Sequence, residues 1–136
     1  MKKICMLIIM MMFISSIIIA ETKQVIQEGI AYIGNGITVE DAKNVAINDA
    51  RQKALNSLGA FFESHKKVTD NRLTKDEISS ITGAVMKSTE LKSEKEIQGE
   101  MFVLKLTVKF DIDVNSFNKA LEKYLADSES KMKWYR

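Results

Sequence analysis

The sequence predicts a two-layer α+β domain, with helices packed on one face of a small, mainly antiparallel sheet in the order β-α-(β)-α-β-β-α. Two stretches carry that prediction. Thr38 to Phe62 (TVEDAKNVAINDARQKALNSLGAFF) is a long helical segment with alanines every four residues, at Ala42, Ala46, Ala50 and Ala54, and with Leu58 extending the row. Met101 to Ile112 (MFVLKLTVKFDI) alternates without a break, Phe102, Leu104, Leu106, Val108, Phe110 and Ile112 against Val103, Lys105, Thr107, Lys109 and Asp111. Strict period-two alternation marks a strand with one buried and one wet face. A row of small side chains lets a helix lie close on a flat partner. With one sheet face wet, the helices share the other.

The chain opens MKKICMLIIMMMFISSIIIA. Lys2 and Lys3 precede an apolar run that ends at Ala20, and Glu21 begins a polar composition. This reads as a signal peptide over residues 1–20, cut after Ala20. The run from Ile4 to Ile19 is shorter than the roughly 20 residues that span a bilayer. The alternative is an uncleaved anchor. Cys5, the single cysteine, stands at the start of the run and not behind the cleavage point, so no lipidation is expected. The protein is then exported, with the periplasm as the expected destination and full secretion the alternative, and touches membrane only transiently through its signal segment. Residues 21–130 form one domain and residues 131–136 a basic aromatic tail. Without cysteine that domain has neither disulfide nor thiolate chemistry and relies on its core.

Of the 20 basic residues, Lys2 and Lys3 lie in the signal segment, so 18 bases meet 18 acids beyond it. A near-neutral domain lacks the basic footprint of nucleic-acid binding.

Each element has a local reason. Lys23 to Ile33 is β-favouring, and its alternation falters at Glu28-Gly29, where a bulge is expected. Gly34-Asn35-Gly36 is a turn. Thr38 caps the long helix, Asp41 completes a capping box, and Glu40 and Asp41 complement the helix dipole. Val39, Ile47, Leu55, Phe61 and Phe62 add bulk to the alanine row, Val45 broadens it, and the helix ends between Leu58 and Ser64. Part of His65 to Thr69 could form a short edge strand, and Asp70-Asn71 is a turn. Thr74 caps a helix from Lys75 to Thr82 with Glu77 as its box partner, and Gly83 ends it in left-handed conformation. Ala84 to Ile97 is a long strand, polar on one face, joined to Met101–Ile112 through Gln98-Gly99 as a hairpin. Asn115 to Ser128 is an amphipathic helix with Phe117, Leu121, Tyr124 and Leu125 as its stripe.

This order of features resembles a known module. A strand and glycine-containing turn lead to the alanine row Ala42, Ala46, Ala50, Ala54 and Leu55, with Gly59 near its end. Val68, Thr69, Asp70, Asn71 and Leu73 follow as V-T-D-N-x-L, then D-E-I-S-S-I-T-G from Asp76 to Gly83, a long polar strand and an alternating apolar one. The pattern, over roughly Glu28 to Asp113, is similar to the N-terminal domain of the flagellar assembly protein T family and to related small bacterial envelope lipoproteins. The resemblance implies a periplasmic, non-enzymatic module that in the flagellar family helps build a ring around the motor's basal body. It supplies no catalytic residues.

Four features bear on chemistry. Gly34-Asn35-Gly36 before a helix has the outline of a phosphate-binding turn, but Val39 stands where a dinucleotide fingerprint needs glycine, no Gly-Lys-Ser/Thr is present, and Glu40 and Asp41 repel an anion. It reads as a tight turn. Asp111 and Asp113 point the same way on a strand and could hold a hard cation, although Asp111 also suits a wet face and Asp113 a helix cap. His65, the only histidine, has no cysteine for a zinc site and no G-x-S-x-G around it, and is expected on the surface. Lys131-Met132-Lys133-Trp134-Tyr135-Arg136 combines cations with the only tryptophan. Trp134, Tyr135 and Arg136 are therefore the candidate partner contact, the alternatives being a frayed end or Trp134 folded back on the core. The Met101–Ile112 strand would invite an added strand if it stood at an edge.

The leading expectation is an exported, non-enzymatic interaction domain that binds envelope or flagellar basal-body proteins, uses no cofactor and has no assigned oligomeric state. A periplasmic domain for a small ligand or a cation, built on Asp111, Asp113 and the Gly34–Gly36 turn, is the second reading. An enzyme is the third, disfavoured because no nucleophile, base and orienting group cluster. Ala46, Ala50, Ala54, Leu58, Phe102, Leu104, Leu106, Val108 and Leu121 are the expected folding residues.

Overall fold

The computed structural model describes residues 21–34 and 36–134. The predicted signal segment, Asn35, Tyr135 and Arg136 lie outside the described residues. The elements run β1 (Thr22–Ile33), α1 (Val39–Glu63), α2 (Lys66–Asp70), α3 (Lys75–Val85), β2 (Lys87–Gln98), β3 (Met101–Asp113) and α4 (Val114–Trp134). The three strands form one antiparallel sheet in the order β1-β3-β2. The α+β architecture is as the sequence predicts.

The alternating strand β3 is therefore central and not an edge. Its register with β1 runs from Thr22 opposite Asp113 to Ile33 opposite Phe102, without a shift. The bulge expected at Glu28-Gly29 is absent. Gly29 answers a different demand: a Cβ there would collide with the Ala46 carbonyl of α1, so glycine is what lets the helix settle on β1. A bulge lies instead in β2, between Glu90 and Lys92.

Helix α1 begins with the predicted device. The Thr38 hydroxyl accepts the Asp41 amide at 3.1 Å, and the Asp41 carboxylate accepts the Thr38 amide at 3.3 Å. Ala42, Ala46, Ala50 and Ala54 are wholly buried, with Leu58 and Phe62 continuing the face. Opposite them stand Leu104, Leu106, Val108, Phe110 and Ile112 of β3. Val39 and Val45, expected to widen this stripe, are exposed, because the alanine row rather than the flank meets the sheet. Phe62 and Phe117 of α4 stack with ring centroids 3.7 Å apart, locking the two helices together at the end of the sheet.

The segment after α1 departs from expectation. His65 to Thr69 is not a strand; Lys66–Asp70 is a short helix, α2. The amides of Val68 and Thr69 both donate to the His65 carbonyl, so the backbone is satisfied locally, while Val68 drops into the core. Helix α3 starts at Thr74 with the expected capping box. It does not stop at Gly83 but runs to Val85, so the next strand starts at Lys87 rather than Ala84. Gly83 has no positive φ. Its bare surface faces α1, where Leu55 Cδ2 lies 3.5 Å from its Cβ position and Arg51 Nη2 donates to its carbonyl at 2.8 Å. A methyl group there would meet Leu55 at ordinary van der Waals distance, so neither a turn nor a clash demands this glycine.

In β3 the alternation holds from Leu104 to Ile112 but fails at the hairpin end. Phe102 is 54% exposed and Val103 fully buried. Phe102 lies between Ile33 and Ile97 of its neighbours, beyond the covering helices, whereas Val103 sits on the outer face between Tyr32 and Glu96. The Gln98-Gly99 turn is as predicted, with Gly99 at φ 64°.

Candidate interaction surface

The residues singled out in the sequence do not converge. Lys131, Met132, Lys133 and Trp134 belong to the last turn of α4, which continues past Ser128. Met132 is exposed and lines a shallow groove of about 280 Å³ together with Asn71, Arg72, Leu73 and Leu125. Tyr135 and Arg136 are outside the described residues.

The turn before α1 is closed by the Ile37 amide donating to the Gly34 carbonyl at 3.2 Å, with Gly36 at φ 86°. The Asp41 carboxylate is already engaged by Thr38 at the helix start. Asp111 and Asp113 have separate duties. Asp111 lies 3.4 Å from Lys109, and Asp113 accepts the Ser116 amide at 2.6 Å, capping α4. Among the described residues no group of three or more His, Cys, Asp or Glu side chains could hold a metal ion. His65 is half-buried, not a plain surface residue. It precedes α2 with its ring tilted against Phe62 at 6.2 Å, and its Nδ1 is buried without a partner.

The two sheet edges differ in kind. On β1 the helix fills the edge. Asp49 accepts the Ile30 amide at 3.0 Å, and Lys53 donates to the Glu28 carbonyl and to Asp49, both at 2.8 Å. The bond from Lys53, and then that from Ile30, holds the Asp49 carboxyl below its ordinary range. An added strand would have to displace both side chains. On β2 no residue is buried, and the strand carries Lys87, Glu90, Lys92, Glu94, Lys95 and Glu96. Glu90 pairs with Lys43 of α1 at 2.8 Å, Lys92 with Glu94 at 2.6 Å, and Glu96 with Lys105 of β3 at 2.7 Å. The bond to Lys105 lowers the Glu96 pKa, and the same bond raises that of Lys105. Charge and a bulge are devices that keep an edge from pairing indiscriminately.

The hairpin end is the contrasting surface. Tyr32, Ile37, Val39, Ile97, Met101 and Phe102 are all exposed large apolar residues, and Ile97 reaches 70%. The register places these strand residues at the last rungs of the sheet, Ile97 and Phe102 on the face that carries the helices and Tyr32 and Met101 on the outer one, and Ile37 and Val39 lie where the chain passes from β1 into α1. Single exposed apolar residues are ordinary, but a group gathered at one end marks a contact surface. The sequence reading assigned Phe102 to the core by extending the alternation one step too far. The available signal was the position of Ile97, Met101 and Phe102 beside a Gln-Gly turn, where polar residues are the norm.

No family model matches the chain, and no curated protein matches it. Among the described residues no helix is long and apolar enough to cross a membrane.

Proposed function

We propose that this chain is a non-enzymatic protein-interaction domain of the bacterial cell envelope, exported by its N-terminal segment and acting in flagellar or motor assembly or in envelope structure. The exposed apolar group at the hairpin end carries the interaction part of this reading, since six of the exposed large apolar side chains gather there. The envelope part is supported by the signal-like opening of the sequence and by the resemblance to the flagellar assembly protein T module. The duties already held by Asp111 and Asp113 weigh against the cation-binding alternative.

The test is a pull-down from envelope extract with three baits: the full chain, a form ending at Ser130, and Ile97→Asp combined with Phe102→Asp. Basal-body or motor proteins captured by the full chain and lost with the double substitution support the reading and locate the contact at the hairpin end. Loss with the form ending at Ser130 moves the contact to Trp134, Tyr135 and Arg136. Capture of no envelope protein by any bait removes the assembly role.

A further inference from the structure

We propose that copies of this chain associate head to tail, the basic end of α4 in one copy seating on the apolar hairpin end of the next. The inference rests on the reading of the chain as a protein-binding domain and names one partner for it, a second copy.

The hairpin end has an acidic rim. Glu40 and Asp41 stand in the first turn of α1, Glu96 near the end of β2 and Glu100 in the turn. The cations nearby are Lys95, and Lys105, which Glu96 already holds at 2.7 Å. Lys43, further along α1, is taken by Glu90. The apolar group therefore sits in a field of negative sign. The end of α4 has the opposite character. Its last turn carries Lys131 and Lys133 on either side of Met132, and the residues from Ser130 to Arg136 include no acid. Met132 is exposed, so apolar and basic groups are offered together. A sticky apolar centre with a rim of one sign calls for a partner with apolar anchors and the other sign.

The two ends lie at opposite poles of one copy. Met101 and Asp113 bound a strand of about 40 Å at the usual rise. Helix α4 leaves the sheet at Asp113 and follows α3, with the Tyr124 hydroxyl donating to Glu77 at 2.7 Å, until Met132 shares its groove with Asn71, Arg72 and Leu73. A copy's own basic end thus points away from its own hairpin, and the match is made between copies. Contact between two different surfaces is heterologous, and it propagates into a ring or an open chain of subunits.

Sedimentation velocity of the purified protein over a concentration series tests this, with two charge reversals at exposed positions: Lys131→Glu with Lys133→Glu, and Glu40→Lys with Glu100→Lys. Circular dichroism checks that both variants fold. Wild type is expected to grow beyond a dimer with concentration and to dissociate as salt is raised. Each variant alone should associate at least about tenfold more weakly. A mixture of the two should associate more strongly than either variant alone and grow again, because each retains one intact end and the two reversed ends are once more opposite in sign. A monomeric wild type, variants that grow as wild type does, or a closed dimer untouched by either reversal overturns the proposal. Envelope proteins captured by a strictly monomeric chain would leave the interaction-domain reading standing while this one falls.

Discussion

Gly29 of β1 and Ala46 of α1 meet backbone to backbone: the place where a Cβ would grow on Gly29 is occupied by the Ala46 carbonyl, with the Ala50 methyl 3.0 Å away. This approach sets how near the helix can lie to the sheet. Gly29→Ala is expected to destabilise by about 3 kcal/mol or more, since backbone rather than a flexible side chain must move. Ala50→Leu overpacks the same contact at about 1–3 kcal/mol. Gly34→Ala, with nothing within 4 Å, is the control and should change stability by less than about 0.5 kcal/mol. Urea denaturation of the three variants checks the ranking.

The stack of Phe62 on Phe117 joins α1 to α4, and both rings are fully buried. Phe117→Ala should cost about 3–5 kcal/mol, whereas Phe117→Leu should recover a substantial part. Equal losses for the two would show that the aromatic pairing, not filled volume, holds this corner. Thermal melting and urea curves distinguish the cases.

The closure of the β1 edge by Asp49 has an acid signature. Its pKa is lowered in the fold, so the charged form stabilises, and the contribution is present above the ordinary value of 3.8 and lost as pH falls through the lower folded value. Asp49→Ala leaves the Ile30 amide without its acceptor and should cost about 1 kcal/mol at neutral pH. The gap between wild type and this variant should close below about pH 4. A gap that stays constant from pH 7 to pH 3 would contradict the assignment.

Glu77 has two duties. One oxygen accepts the Thr74 amide at 2.7 Å, and the other accepts the Tyr124 hydroxyl at 2.7 Å. The bond from Thr74, followed by that from Tyr124, lowers its pKa. Thr74→Ala should cost about 1 kcal/mol as a lost cap. Tyr124→Phe should lower the melting temperature, and its effect should shrink in a Glu77→Ala background, because the two changes remove one shared bond. Additive losses in a double-mutant cycle would refute the coupling.

The parts of the fold legible in the sequence are those whose signal is periodic. The alanine row from Ala42 to Ala54 and the alternation from Leu104 to Ile112 repeat because a single flat contact imposes them, and the structure buries both. The capping boxes at Thr38 and Thr74 were equally legible, being closed within four residues. The glycines were not. Gly29 suggested a bulge and Gly83 a helix end, because glycine's usual local reasons were applied to both; Gly29 is small for a distant partner, Ala46, and Gly83 sits inside a helix with room for a methyl group. The apolar hairpin end was hidden for a related reason. Nothing in an unbroken alternation says where the covering helices stop, and they stop before Phe102.

The sheet order β1-β3-β2 joins the first strand of the domain to the last. A chain that emerges from its N-terminus, at a ribosome or through a narrow pore, exposes β1 long before it has anything to pair with. Thr22 meets Asp113, so the final rung closes only when nearly the whole domain is free. The helices and the β2-β3 hairpin can form from near neighbours, but the sheet on which α1 lies waits for the longest loop in the molecule to close. Until then β1 and α1 can cover only each other, and the part of their apolar face that belongs to β3 stands open. A protein built this way is most open to wrong partners in the interval just before residue 113 appears.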